Sequence, residues 1–108
     1  MIIMQGDSYP IYIDLVQDCE RLTPEMVAEM EVCVGAVLRK LHTKGEVFFE
    51  DETKRWYIYP TQKETMELPV GDHTVIARIR YKNVGNDEVV GVNLGTIRVM
   101  DSTSEEAI

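Results

Sequence analysis

Histidine, the residue type that most often binds metals or acts as a catalytic base, is scarce in this chain. The only histidines are His42 and His73, and neither lies at metal-ligand spacing from another histidine or from a cysteine. His42 falls in "LHTKG", which has the composition of a turn, and His73 begins a predicted strand. We therefore expect both imidazoles to be solvated or locally hydrogen-bonded, and the sequence predicts no metal ion and no cofactor.

Two groups of carboxylates have the residue types for acid–base chemistry or for binding a divalent cation. Glu50, Asp51 and Glu52 are consecutive in a polar turn, where adjacent acids are usually solvated. Glu29 and Glu31 lie two residues apart on a predicted strand and therefore share one face. The outer face of a sheet offers no pocket for a substrate, so cross-strand salt bridges are the better interpretation. The sequence predicts no catalytic residues.

The two cysteines, Cys19 and Cys33, have a spacing that matches no metal-binding motif. Two cysteines also do not make a disulfide framework. Buried or half-buried free thiols are the simpler interpretation, and a Cys19–Cys33 bridge remains an alternative.

The charge balance limits the kinds of partner that the protein can bind. The net charge is -8, whereas nucleic-acid binding requires lysine and arginine to meet the phosphates. The same charge disfavours anionic membranes, and no apolar run approaches the roughly 20 residues that span a bilayer. The opening "MIIM" lacks the features of a signal peptide. We expect a cytoplasmic protein that binds neither nucleic acid nor membranes.

Arginines are concentrated on one predicted strand pair of this acidic chain. In "HTVIARIRY", Arg78 and Arg80 lie on the face opposite to the aliphatic residues. Arg98 joins them if a β-bulge near Gly95 shifts the alternation by one residue, because the aliphatic neighbours of Arg98 then face the core. This face is either a solvated surface with acidic residues of neighbouring strands or a contact between subunits, where arginine and tyrosine are favoured.

Aromatic residues are concentrated in "RWYIY". Trp56 and Ile58 share one face of this predicted strand, which we assign to the core. Tyr57 and Tyr59 share the opposite face. The two tyrosines are therefore the better candidates for a surface that contacts another molecule.

Short runs of alternating hydrophobicity predict the strands that position these side chains. The runs lie at 2–5, 11–15, 46–50, 55–59, 73–81 and 90–99. Together with a strand at 28–38, they predict an all-β sandwich of about seven strands. The sandwich forms one domain over residues 1–100, followed by a C-terminal tail at 101–108.

One or two short helical turns are expected among the strands. Thr23 and Pro24 have the residue types of an N-cap and a first helical position, and they predict a turn at about 24–27. "TQKE" has the form of a capping box and predicts a single helical turn that crosses between the sheets. The segment 28–38 alternates as a strand does and contains β-branched residues, although a helix over the same residues remains an alternative.

Several segments together resemble one family. They are "GDSYPIYIDL", "LTPEMVAEMEVCVG", "WYIYPTQKETMELPVGDHTVIARIRYKN" and "LGTIRVMDSTSEEAI". The pattern combines a Gly-Asp opening, a "TPE-x-V" turn, a "TQ-x-ET-x-x-L-x-x-G" corner, a strand with alternating arginines and a closing "I-x-V-x-x-S". It runs over most of the chain and resembles small tail- or baseplate-associated proteins of phages and prophages of Firmicutes, and in particular the N-terminal domain of baseplate upper proteins.

The resemblance implies an immunoglobulin-like β-sandwich with a structural or assembly role. Its partners would be other virion-type structural proteins or further copies of the chain, and the assembled protein would be associated with the virion or its tail. The likeness is architectural, because the Cys–Trp–Cys spacing of antibody domains is absent. Baseplate upper proteins carry a long extension after this domain, so their receptor-binding and trimeric-stalk functions are not carried over.

We therefore expect a non-enzymatic assembly module that makes contacts through sheet edges and through one face. The candidate interface residues are Tyr57, Tyr59, Arg78, Arg80 and Arg98. The alternative is a small β-sandwich binding module for a glycan or a peptide, which would use the two tyrosines and the nearby acidic loop.

Overall fold

The structure, a computed structural model, describes residues 1–17, 20–82 and 88–103 and is built mainly from short strands. In chain order the elements are β1 (Ile2–Met4), β2 (Ile11–Ile13), β3 (Val16–Gln17), β4 (Glu20–Arg21), a 3-10 turn (Pro24–Met26), β5 (Val27–Val34), β6 (Leu38–Leu41), a second 3-10 turn (His42–Lys44), β7 (Val47–Glu50), β8 (Arg55–Ile58), helix α1 (Gln62–Met66), β9 (Gly71–Tyr81) and β10 (Val89–Met100). The predicted all-β class and both predicted helical turns are confirmed.

Most of the strands form two sheets around a common core. The five-stranded sheet has the order β1-β10-β9-β5-β6, and the three-stranded sheet has the order β2-β8-β7. Neighbouring strands are antiparallel, except that β1 runs parallel to the end of β10. Strands β3 and β4 form a small separate ladder. The arrangement is sandwich-like, as the strand pattern predicted.

The core is aliphatic around one tryptophan. Trp56 is fully buried, and its indole Nε1 donates a hydrogen bond of 2.9 Å to the Leu22 carbonyl oxygen. That bond satisfies the polar group of the ring inside an apolar environment. The alternating aliphatic residues of the surrounding strands are also buried, namely Ile11, Ile13, Met30, Val32, Val34, Ile58, Val75, Ala77 and Ile79. The predicted core positions of Trp56 and Ile58 are confirmed.

Helix α1 carries the chain from the three-stranded sheet to the five-stranded sheet, as predicted. Its first turn is a capping box, in which Thr61 Oγ1 accepts a hydrogen bond from the Glu64 amide and Glu64 Oε1 accepts one from the Thr61 amide. Thr65 is buried, and its hydroxyl accepts a hydrogen bond of 3.0 Å from the Gly6 amide. The same hydroxyl donates one of 2.8 Å to the Asp7 carbonyl oxygen. The helix is thereby tied to the segment between β1 and β2.

Lys40 points inward from the edge strand β6 and is buried. Its ammonium group donates a hydrogen bond of 2.6 Å to Glu64 Oε2 and lies 4.0 Å from Glu46 Oε2. Burial by itself raises the pKa of the Glu64 carboxyl, but hydrogen bonds from Lys40 and the Thr61 amide outweigh burial, so this pKa lies below its ordinary value. The ion pair links β6 to α1.

The structure corrects the strand predicted over 28–38. Strand β5 ends at Val34, the chain turns at Gly35, and β6 begins at Leu38. Gly35 has a φ of 58°, in the left-handed region, and a Cβ atom there would lie 2.8 Å from His73 Nδ1. This glycine therefore reverses the chain, and neither the long strand nor the alternative helix forms.

The structure also tests the bulge predicted near Gly95 and the length predicted for the strand at 11–15. The register between β9 and β10 shifts between Asn93 and Gly95, and Gly95 has a φ of 106°. The predicted bulge is therefore confirmed. The strand predicted at 11–15 is shorter than expected, because β2 ends at Ile13, although Leu15 is still buried.

Three predictions fall on residues that the structure does not describe. Residues 83–87 of the connection between the strands predicted at 73–81 and 90–99, Cys19, and residues 104–108 of the predicted tail all lie outside the described ranges. Cys33 is described and is a free thiol. None of the helices in the described ranges is long and apolar enough to cross a membrane.

The contact between Glu64 and Lys40 predicts a pH-dependent stability. We expect Glu64→Gln to lower the free energy of unfolding by about 1–3 kcal/mol at neutral pH, because it weakens a charge-assisted hydrogen bond. The lowered pKa of Glu64 makes its contribution full above the pKa of a glutamate in the unfolded chain. The contribution is lost as the pH falls through the folded-state pKa. Urea unfolding over an acidic pH series should show the difference between the two proteins narrowing.

The control is Glu67→Gln, at the exposed C-terminal end of the same helix. This variant should change the free energy of unfolding by less than about 0.5 kcal/mol. A cost of Glu64→Gln that stays constant as the pH falls would contradict the role of the ionised carboxylate.

Candidate interaction surfaces

Both histidines have local structural partners, as predicted. His42 Nδ1 lies 3.1 Å from the Val47 carbonyl oxygen, and its ring packs edge-on against Trp56 with centroids 5.2 Å apart. His73 Nε2 lies 2.6 Å from the Pro69 carbonyl oxygen. Within the described ranges, no three Asp, Glu, Cys or His side chains are grouped as metal ligands. Both imidazole rings therefore make local contacts within the fold.

Glu29 and Glu31 point outward from β5 on the same face, and each is engaged by a neighbour. Glu31 accepts a hydrogen bond from Arg39 of β6, which holds the pKa of that carboxyl below its ordinary value. Burial raises the pKa of Glu29, but hydrogen bonds from the hydroxyl and amide of Thr43 outweigh burial and lower it. The predicted cross-strand salt bridge is confirmed for Glu31, with Arg39 as the partner.

The three predicted arginines share the outer face of the five-stranded sheet but form two separate groups. Arg78 and Arg80 lie on β9 opposite the two outward-facing glutamates of β5. Arg98 lies toward the other end of the sheet, opposite Asp72, and forms an ion pair with it at 2.9 Å. The prediction that Arg98 shares the outer face with the other two is confirmed; its ion-pair partner Asp72 was not predicted.

Arg78 and Arg80 border a shallow depression of about 220 Å³ on this face. In the part of the chain that the structure describes, neither guanidinium has an ion-pair partner within 4.0 Å. The nearest glutamates are already engaged by Arg39 and Thr43. Among the described residues, the two guanidinium groups therefore make no close ion pair of the kind that Arg98 makes with Asp72.

The outer face of the three-stranded sheet carries an aromatic row, formed by Tyr12, Tyr57 and Phe48 on neighbouring strands. The rings of Phe48 and Tyr57 are stacked with centroids 5.2 Å apart, and those of Tyr12 and Tyr57 are tilted with centroids 5.3 Å apart. The Arg55 guanidinium lies 4.5 Å from the centroid of Tyr12. The rings therefore use much of their surface in contacts with one another.

The sequence prediction covered this row only in part. Tyr57 is its central residue, as the strand pattern indicated, but Tyr59 lies just after β8 and is 48% exposed. In the described residues no ring contact joins Tyr59 to the row. Tyr12 and Phe48 were not predicted to belong to the row. The alternating pattern places each of them on one face of its own strand, but it does not show that β2 and β7 lie on either side of β8.

Strand β10 has a long edge that is uncovered in the described part of the chain. Strand β1 pairs with it only at Arg98–Met100. No described strand pairs with Val89–Ile97 on the side away from β9. The segment reads "VVGVNLGTI" and contains no charged side chain and no proline. An uncharged, uncovered edge is the kind that pairs with a strand of another chain.

No family model, curated protein or solved structure matches the chain. The candidate surfaces therefore rest on the geometry of the structure alone. They are the arginine pair, the aromatic row and the uncovered edge of β10.

A cleft of about 410 Å³ opens beside the edge of β10. Val92 and Leu94 line it from β10, and Ile11 and Ile13 line it from β2. Strand β2 is the last strand of the three-stranded sheet, so the cleft lies along the edges of both sheets. The sandwich is therefore open on this side, where apolar side chains of an added strand could enter.

The central position of Tyr57 in the aromatic row predicts different effects for two similar substitutions. Tyr57→Ala removes two ring contacts and should lower the free energy of unfolding by about 1–3 kcal/mol, since one aromatic pair contributes about 0.5–1.5 kcal/mol. Tyr59→Ala should change it by less than about 0.5 kcal/mol. Urea unfolding followed by the fluorescence of Trp56 measures both. Equal effects would show that the row does not stabilise the fold.

Proposed function

We propose that the chain is a non-enzymatic module that assembles with other protein chains, as structural proteins of phage and prophage tails and baseplates do. The observation that carries the proposal is the uncovered, uncharged edge of β10, because such an edge readily pairs with a strand of another chain. Arg78 and Arg80 lie near it without ion-pair partners among the described residues. The partners are other virion-type structural proteins, and the assembled protein is associated with the virion or its tail.

The strand order supports an immunoglobulin-like sandwich. With β3 and β4 set aside, the remaining strands take the letters A, B, C, C′, D, E, F and G in chain order. The three-stranded sheet then reads B-E-D, and the five-stranded sheet reads A-G-F-C-C′. These are the sheet memberships of an immunoglobulin domain with a C′ strand, apart from the first strand, which here pairs with G. The inter-sheet disulfide is absent, since neither β2 nor β9 contains cysteine.

A binding module for a glycan receives less support. Aromatic platforms stack sugar rings on exposed ring faces, whereas the rings of the aromatic row contact one another. A peptide ligand fits the edge of β10 better, and binding of an extended peptide there is the same kind of contact as assembly with another chain.

The genes that flank the coding sequence test the virion part of the proposal. We expect genes for tail proteins and holin-type proteins on either side of it. Sequencing of the flanking DNA gives the answer. Neighbouring genes for secretion or for sugar metabolism would contradict a role in the virion.

Mass in solution tests which chains assemble. We expect a monomer over a concentration series in light scattering after size-exclusion chromatography. A two-fold pairing of β10 with its copy would bring Arg78 and Arg80 of both copies toward one another with no carboxylate from Val89–Asn93 between them, and the copies already repel through a net charge of -8. A defined dimer would contradict this expectation and make a second copy the partner.

A further inference from the structure

The part of β10 before its bulge has the backbone geometry of a strand acceptor. Val89–Asn93 pairs in regular register with β9 and has no second neighbouring strand among the described residues. Alternate amide and carbonyl groups of such a strand point away from its one partner. The regular edge ends at the bulge, where the Gly95 amide donates a hydrogen bond of 2.9 Å to the Asn93 side chain. A segment of this length matches an ordinary strand.

The inward side of this edge is apolar and has room beside it. Val90 and Val92 lie opposite Ile79 and Ala77 of β9, which face the core. Val90 is nevertheless 45% exposed, because nothing described packs over it on this side. The cleft of about 410 Å³ continues from Val92 toward β2. Inward side chains of an added strand would bury this apolar surface.

The outward side of the edge leads to Arg78, which has no ion-pair partner within 4.0 Å among the described residues. Gly91 lies opposite Arg78 in the register of β9 and β10. A Cβ atom added to Gly91 would meet nothing within 4 Å. A residue of an added strand next to Gly91 would lie two strand spacings from Arg78, about 10 Å between backbones. The side chains of an arginine and a glutamate can bridge that distance, since Gly91 places no side chain between them.

We propose that Val89–Asn93 is an acceptor edge for an extended segment of another protein, whose residues are alternately apolar and acidic. The apolar residues enter the cleft, and a carboxylate next to Gly91 pairs with the guanidinium of Arg78. This inference rests on the proposed assembly function and names the chemistry of its partner. Backbone hydrogen bonds would supply affinity, and the alternation of side chains would supply specificity.

The occupant is a different chain because β10 does not match its own edge. Val89–Asn93 contains no carboxylate, so a second copy paired through this segment leaves Arg78 without a partner. Glu29 and Glu31, which do alternate with apolar residues, belong to β5 inside the folded sheet and are not free to be donated. Charge complementarity therefore favours an acidic–apolar segment from elsewhere.

Fluorescence anisotropy with labelled peptides of about seven residues, a typical strand length, tests the proposal. The probe alternates valine and glutamate, one comparison peptide has lysine in place of glutamate, and another has the probe's composition in scrambled order. We expect saturable binding of the probe. Both comparison peptides should bind with an affinity at least about tenfold lower than that of the probe. A tenfold loss corresponds to about 1.4 kcal/mol. Amide hydrogen exchange at Val89–Asn93 should slow when the probe binds.

Three variants locate the contact. Arg78→Glu should reverse the preference, so that the lysine peptide binds more tightly than the glutamate peptide. Gly91→Val fills the gap in front of Arg78 at an exposed strand position that accepts a side chain, and it should weaken binding of the probe without loss of stability. Arg98→Gln, on the same face beyond the uncovered edge, is the matched control and should bind the probe as the unaltered protein does.

Absence of binding, equal binding of the three peptides, or a preference that Arg78→Glu leaves unchanged would each overturn the acceptor edge. Tail genes around the coding sequence combined with no peptide binding would overturn this inference and leave the assembly function in place. Peptide binding combined with neighbouring genes for sugar metabolism would overturn the role in the virion and leave the acceptor edge in place.

Discussion

The buried hydroxyl of Thr65 holds together two of the places at which the chain passes from one sheet to the other. Strand β1 belongs to the five-stranded sheet and β2 to the three-stranded sheet, so the chain crosses between them at Gly6 and Asp7. Helix α1 forms another crossing, from β8 of the three-stranded sheet to β9 of the five-stranded sheet. The Thr65 hydroxyl accepts a hydrogen bond from the Gly6 amide and donates one to the Asp7 carbonyl oxygen. Two crossings that are far apart in sequence are thereby fixed at one corner.

That corner also fixes the point at which β1 leaves β10. Strand β1 runs beside β10 only at Arg98–Met100 before the chain leaves the sheet at Gly6. The departure is reinforced by Gln5, whose side-chain amide donates to the Leu68 carbonyl oxygen, and by the Ser8 hydroxyl, which donates to the Pro60 carbonyl oxygen. A longer β1 would need those hydrogen bonds to break. Because β1 runs parallel to β10, such a lengthening would extend the pairing past Met100 and not along Val89–Ile97, so the open edge does not depend on this corner.

The two long edges of the five-stranded sheet differ in how they are protected. Strand β6, at one edge, carries an exposed Arg39 and an inward Lys40 that is paired with Glu64. Charged and inward-pointing lysines of this kind prevent edge-to-edge pairing. Val89–Asn93 near the other edge has neither a charge nor a proline. Among the described residues, the two edges of this sheet therefore differ in protection, and the proposed assembly uses the less protected one.

Features that depend on neighbouring residues could be predicted from the sequence, and features that depend on distant ones could not. The capping box of Thr61 and Glu64 and the bulge at Gly95 are encoded within a few residues, and both were predicted correctly. The turn at Gly35 was missed, because its backbone conformation is accompanied by a close approach of His73 from another strand. The placement of Arg98 beside Asp72 depends on the register of β9 with β10.

The same distinction explains why the arginines looked like one site in the sequence. Alternation places side chains on a face but gives no information about which strand lies beside them. On that face Arg98 forms an ion pair with Asp72. Arg78 lies beside Gly91 of β10, and the other side of Gly91 is an edge without a described neighbour. A guanidinium at such a place attracts a carboxylate only if a strand brings one there. In the proposed acceptor edge, the open backbone would therefore bring the partner strand, and the charge of Arg78 would select one that carries a carboxylate.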